Sequence, residues 1–284
     1  MEVKPWHRHY DYNVPTTIRR PRLPVPDLLQ IPANAYPDKA AYHFLGAEMS
    51  FWELRQQVLR MANALGEMGV QKGDRVGFHL PTCPQYMIAY YAVLSLGGIV
   101  VNLNPLYTAE ELTGVFTTTG ISTLFTIDTA MPTISVLLQN VEVKRVIVTR
   151  LEDYAQGGGT AKPPDLEKGW LYFSSVLEQC TVTKRPRVDI VPEDPALIQF
   201  TGGTTGVPKG AILTHANVIA YAISQSLWAS PVVQAVPPER RFFLGTIPFF
   251  HIYGNMSVIN LSVISCATQI LVPQFEIDSF MELI

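Results

Sequence analysis

The sequence predicts an α/β protein: mainly parallel sheets flanked by helices in layers. Three observations carry this. From about residue 40, strand-like and helix-like segments alternate, the pattern of a parallel sheet with crossover helices. Hydrophobic residues make up 48% of the 284 residues and charged residues 16%, which excludes a disordered chain and supplies a large core. Residues 76–109 and 242–275 contain no Asp, Glu, Lys or Arg, and strands covered on both faces read as unbroken apolar runs.

The elements follow in order. Residues 1–26 form an extended arm, basic and interrupted by Pro5, Pro15, Pro21, Pro24 and Pro26. It lacks the apolar core of a signal peptide and shows no packing pattern of its own. Residues 40–45 read as a strand. Ser50 and Glu53 form a capping box, in which each side chain satisfies an orphan amide at a helix start. Leu54, Val58, Met61, Ala62 and Leu65 follow at helical spacing, and Gly69 suits the C-terminal cap. Residues 75–80 read as a strand. Pro84 suits the first turn of a helix running to about Leu96, and residues 99–103 read as the next strand. Thr108 and Glu111 make a second capping box. Residues 122–126 and 145–149 are short strands. Residues 151–169, with a Gly157–Gly159 run and Pro163-Pro164, read as a surface loop. Residues 184–192 look like a linker, and strand signals resume at 196–200. The expected division is an arm over 1–26, a first α/β subdomain over 27–190, and the start of a second over 191–284.

Composition narrows the function. With 21 Lys and Arg against 24 Asp and Glu, the net charge is −3, so no global basic excess argues for nucleic acid. Cys83, Cys180 and Cys266 are far apart, which disfavours a disulfide framework or a cysteine zinc site and fits a reducing, cytoplasmic setting. Neither charge-free stretch reads as a membrane span. The apolar part of the first, residues 86–101, is shorter than the ~20 residues a span needs. The second contains Pro248, His251, Asn255 and Asn260.

The chemistry concentrates between residues 199 and 215. A strand enters a run of three Gly and three Thr, Thr201, Gly202, Gly203, Thr204, Thr205 and Gly206, and Lys209 follows. Glycine brings backbone amides close to a ligand, and successive inward amides form an anion nest. Threonine hydroxyls add donors, one of which could ligate a metal on the phosphates. Lys209 supplies a mobile positive charge. The order Lys209-Gly210 does not satisfy GxxxxGK[ST], and GxGxxG is absent. Apolar residues 211–213 indicate that the run joins two strands rather than opening a helix.

The string TGGTTGVPKG over residues 201–210 resembles the signature of the AMP-forming acyl-adenylate ligases. Gly202 stands where the commoner family form has Ser, and the Gly form looks like the long-chain fatty acyl-CoA ligase branch. FWEL at 51–54, GVQKGDRV at 69–76 and LGGIVVNLNP at 96–105 match further family landmarks. PTCPQ at 81–85, NPLYT at 104–108 and PFFHIYG at 248–254 look like the fatty acyl branch. Pro32 falls inside a usual early helix of the family and should kink or shorten it.

The resemblance implies roles by position. Thr201 to Gly206 and Lys209 would hold the phosphates of ATP, with Thr204 in the Mg²⁺ shell. His251, Tyr253 and Gly254 would line the acid pocket, with Lys209 and His251 as the catalytic residues. From the residues alone, His251 reads instead as a core histidine bonded to a backbone carbonyl. His215 and Asn217 open the next helix and read as structural. The implied substrates are a medium- to long-chain fatty acid, ATP and CoA, giving acyl-adenylate and then acyl-CoA. Alternatives are an aryl or short-chain acid, or a nucleotide-binding piece without turnover. Later family landmarks are absent, so the expectation is an N-terminal part of a ligase, inactive alone. A homodimer through the arm, and peripheral membrane contact, are further expectations.

Overall fold

The computed structural model describes residues 4–158, 163–201, 209–274, 277 and 281. After a short turn of 3-10 helix at Pro5–His9, α1 spans Asp27–Ala35 with Pro32 inside it. It spans nine residues and continues three residues past Pro32. Strands β1 (Ala40–Phe44) and β2 (Ala47–Ser50) form an antiparallel hairpin. The second strand was not expected, since Ala47, Glu48, Met49 and Ser50 include no β-branched residue. Helix α2 (Phe51–Glu67) starts at the predicted capping box. The Glu53 amide donates to Ser50 Oγ at 3.2 Å, and the Ser50 amide donates to Glu53 Oε2 at 2.9 Å.

Next come β3 (Arg75–His79), α3 (Pro84–Ser95) and β4 (Ile99–Asn102), then α4 (Ala109–Thr119) with its own capping box at Thr108. β5 (Thr123–Ile127), α5 (Met131–Leu137), β6 (Arg145–Thr149), β7 (Leu171–Tyr172) and α6 (Phe173–Gln179) complete the stretch before the linker. Beyond it lie β8 (Pro195–Thr201), β9 (Lys209–Thr214), α7 (His215–Trp228), α8 (Ser230–Ala235) and β10 (Phe242–Gly245). A π-helical segment, Gly254–Asn260, runs into α9 (Leu261–Ile264), and β11 (Thr268–Leu271) follows.

Among the described residues the strands form two sheets. The larger has the order β7-β6-β5-β3-β4-β8-β9, and the smaller β10-β11-β1-β2. All pairs are parallel except the hairpins β8–β9 and β1–β2. Both sheets take strands from either side of residue 190, because β4 pairs with β8 and β1 with β11. The stretch 184–192 therefore links segments of shared sheets and does not separate two closed ones. Local patterning marks strands but carries no information on their distant neighbours.

Every residue of α3 is buried, which explains its lack of a polar face. Tyr86 meets Phe78 of β3 edge-on at 5.1 Å between ring centres. Among the described residues, no helix is long and apolar enough to cross a membrane. The arm does find packing on its own chain, contrary to expectation. Tyr10 meets Trp228 of α7 edge-on, Asn13 Nδ2 donates to Ser230 Oγ of α8 at 2.7 Å, and Val14 and Val25 are buried. Proline interruption prevents a regular element but leaves side chains free to dock.

Candidate active site

Strands β8 and β9 pair down to Thr201 opposite Lys209. Residues 202–208 thus connect the two ends of a closed antiparallel ladder, as the apolar run at 211–213 predicted. Gly202, Gly203, Thr204, Thr205 and Gly206 lie outside the described residues. Their flanks are placed: Thr201 and Lys209 are both exposed, and Thr201 Oγ1 donates to the Lys209 carbonyl at 3.4 Å. The outer end of β8 lies at the carboxyl end of the parallel strands, where open α/β sheets place their ligands.

Past β9 the chain is locked by Thr214, whose Oγ1 accepts from the Asn217 amide at 3.2 Å. His215 is fully buried, and its Nδ1 accepts from the Val25 amide at 3.1 Å. Burial lowers its pKa to about 4, against the pull of Asp194 in the opposite direction. A neutral, buried acceptor of this kind secures the arm to α7, in keeping with the structural reading of His215 and Asn217.

The second candidate segment follows β10. The His251 amide donates to the Pro248 carbonyl at 3.0 Å, and His251 Nδ1 accepts from the Tyr253 amide at 3.2 Å. Both side chains are exposed. His251 is therefore not the core histidine that the residues alone suggested; the tight turn after Pro248 directs it outward. Gly254 is buried, and a Cβ there would lie 2.2 Å from the Pro248 carbonyl oxygen and 2.7 Å from that of Ile247. Only glycine fits this crossing of backbone on backbone.

The sequence reading assigned no role to Asn102, Asn255 or Asn260, all essentially buried. A signal was present: amide side chains within charge-free apolar stretches need buried partners. Among the described residues, no group of three or more His, Cys, Asp or Glu side chains could hold a metal ion. A metal carried on phosphate oxygens would not need one, since Mg²⁺ is usually bound through few protein ligands plus substrate phosphates.

The profile of the AMP-binding enzyme family matches residues 29–284. The chain belongs to this family. It is similar to the long-chain-fatty-acid–CoA ligase of Bacillus subtilis, 34% identical over 287 residues, which cover 96% of this chain and 50% of that protein. The enzyme of the same name from Escherichia coli O157:H7 is 31% identical, over 88% of this chain and 47% of the relative. Among solved structures, a long-chain-fatty-acid–CoA ligase from Archaeoglobus fulgidus superposes with a TM-score of 0.79 at 23% identity, over 96% of this chain and 51% of its own. An anthranilate CoA ligase bound to anthranoyl-AMP gives 0.78 at 21%, over 92% and 47%. These likenesses establish the shared fold. The chain spans about half the length of the curated relatives it matches.

Proposed function

We propose that residues 1–284 carry the ATP-phosphate and acid-binding elements of an AMP-forming fatty acid–CoA ligase acting on medium- to long-chain acids. The observation behind this reading is the closed β8–β9 ladder. It sets Lys209 at the base of a segment whose sequence is rich in Gly and Thr. In the proposed reaction a carboxylate oxygen attacks the α-phosphorus of ATP, and pyrophosphate leaves. The CoA thiol then attacks the acyl carbon, loses its proton and expels AMP. Thr201 and Lys209, with the amides of residues 202–206, would bind the triphosphate and neutralise its charge, the main protein contribution in such chemistry. Thr204 is proposed as a Mg²⁺ ligand, the metal neutralising phosphate charge when bound. His251, Tyr253 and Gly254 would border the acid. The chain-length preference rests on the names of the curated relatives and on the apolar stretch around His251. The setting proposed is cytoplasmic. The arm's seat on α7 and α8 of its own chain does not call for a partner subunit.

The test reads binding. Lys209→Ala should weaken MgATP binding by about 2 kcal/mol, roughly thirtyfold in Kd, from the loss of a charged hydrogen-bond donor. Its melting temperature should match wild type, because the lysine is exposed. Unchanged MgATP affinity would refute the phosphate assignment. Palmitate should bind more tightly than benzoate, each buried CH₂ contributing ~0.8 kcal/mol; the reverse order would overturn the chain-length assignment.

A further inference from the structure

We propose that Tyr86 is a positioning residue that holds the His251-bearing segment in register with β8, the strand leading to residues 201–210. The inference rests on the adenylation reading above for its functional consequence, but its geometry stands apart from it.

Tyr86 lies in the first turn of α3 and is fully buried. Its hydroxyl donates to Asn102 Oδ1, at the end of β4, at 2.5 Å. Asn102 Nδ2 passes the contact on to Gln199 Oε1 at 3.0 Å, the residue directly across the strand pair. Gln199 stands two positions before Thr201. In the other direction the Tyr86 hydroxyl accepts from Asn255 Nδ2 at 3.3 Å, four positions after His251. The Tyr86 ring packs on Phe249 at 5.4 Å, and Thr82 Oγ1 accepts from the Phe249 amide at 3.3 Å. Residues 82–86 thus grip the His251 turn on both sides. One turn along α3, the Tyr90 hydroxyl accepts from Asn260 Nδ2 at 3.2 Å, and Asn260 also donates to the Asn255 carbonyl at 3.0 Å.

One hydroxyl therefore connects the two candidate segments: it accepts directly from Asn255 of the His251-bearing segment, and its proton goes to Asn102 of β4, which relays the contact to Gln199 of β8. A well-packed apolar core would be about as stable as this buried polar chain, so cohesion alone does not explain it. What such a network adds is a single geometry. The segment it holds is π-helical, a form that recurs at functional sites. In a two-substrate site, a misplacement of ~1 Å costs on the order of a hundredfold in rate.

The experiment is hydrogen–deuterium exchange on wild type, Tyr86→Phe and Gln199→Met, with and without MgATP, alongside thermal melting. Without ligand, Tyr86→Phe should exchange about fivefold faster over residues 252–260, the effect of one net hydrogen bond, with residues 109–119 unchanged. With MgATP, wild type should gain protection over 209–214 and 252–260 together, whereas both variants should gain it over 209–214 only. The proposal is overturned if the wild-type effect stops at 214, or if the variants carry it to 252–260 as wild type does. It is equally overturned if Tyr86→Phe speeds exchange everywhere, the mark of a structural role alone. Should Tyr86→Phe not fold, Gln199→Met carries the same decision, since its side chain is only half-buried. If MgATP protects nothing in wild type, the adenylation reading fails. The ligand-free comparison then decides the register role by itself: faster exchange confined to 252–260 supports it, and unchanged exchange overturns it.

Discussion

Residues 76–109 and 242–275 look alike as sequence, both long, apolar and free of charged side chains, and both fold as a strand, a helical crossover and a parallel strand. Their helices differ. In the first, α3 is regular, and Tyr86 and Tyr90, four residues apart, share a face. In the second, Asn255 and Asn260 stand five apart. At 3.6 residues per turn they would diverge, whereas an i→i+5 helix brings them together. There they meet the two tyrosine hydroxyls. Hydropathy does not distinguish the two regions; the spacing of a few polar side chains against a distant partner does.

The largest expected effect breaks the second unit. Gly254→Ala forces a methyl group onto two backbone carbonyl oxygens that cannot move aside. It should cost at least about 4 kcal/mol, roughly 10 °C in melting temperature. A variant melting within about 2 °C of wild type would show that the crossing is looser than drawn.

The next effect belongs to the first unit. His79 is fully buried at the end of β3, its Nδ1 3.1 Å from Thr126 Oγ1, and burial lowers its pKa to about 4. An unfolded histidine titrates near 6.5, so the unfolded chain binds the extra proton first as pH falls. The stabilisation is present above pH ~6.5 and is lost progressively toward pH 4, by about 3 kcal/mol in full. Melting at pH 7, 5.5 and 4.5 should show this decline, with a shallower slope in His79→Gln. Equal slopes would mean that other groups carry the acid sensitivity.

The smallest effect returns to a glycine as the matched control. A Cβ on Gly98 would lie 2.8 Å from Val93 Cγ1 and 3.2 Å from the Val93 carbonyl oxygen. The nearer contact is a methyl of the fully buried Val93, held near one rotamer in α3, so relief takes a small shift of packing rather than of two carbonyls, and Gly98→Ala should cost about 2 kcal/mol. Differential scanning calorimetry on both glycine variants tests the contrast; a Gly98→Ala loss matching that of Gly254→Ala would erase it.

Much of the fold follows from local sequence. Both capping boxes, the apolar positions of α2, the proline start of α3 and the strand-to-strand placement of residues 201–210 depend on neighbours within a few residues, and all are found. Strand β2 escaped notice because its pairing with β1 is set by the hairpin rather than by its own composition. The packing of the arm leaves no local signal because its contacts lie about two hundred positions away; Asn13 bonds Ser230. His251 was misread from the residues alone because an apolar flank suggests burial, while the turn after Pro248 directs the ring outward.

Local chemistry was enough to specify the alternating elements, the Gly- and Thr-rich run at residues 201–206 and the family resemblance, since each rests on residues adjacent in the chain. The order of strands in the two sheets, the sharing of both sheets across residue 190, the π-helical form of Gly254–Asn260 and the Tyr86 junction were decided only on folding. The physical reason is sequence distance: Asn255 reaches Tyr86 across 169 positions, and a buried amide has no local periodicity from which its eventual partner can be read.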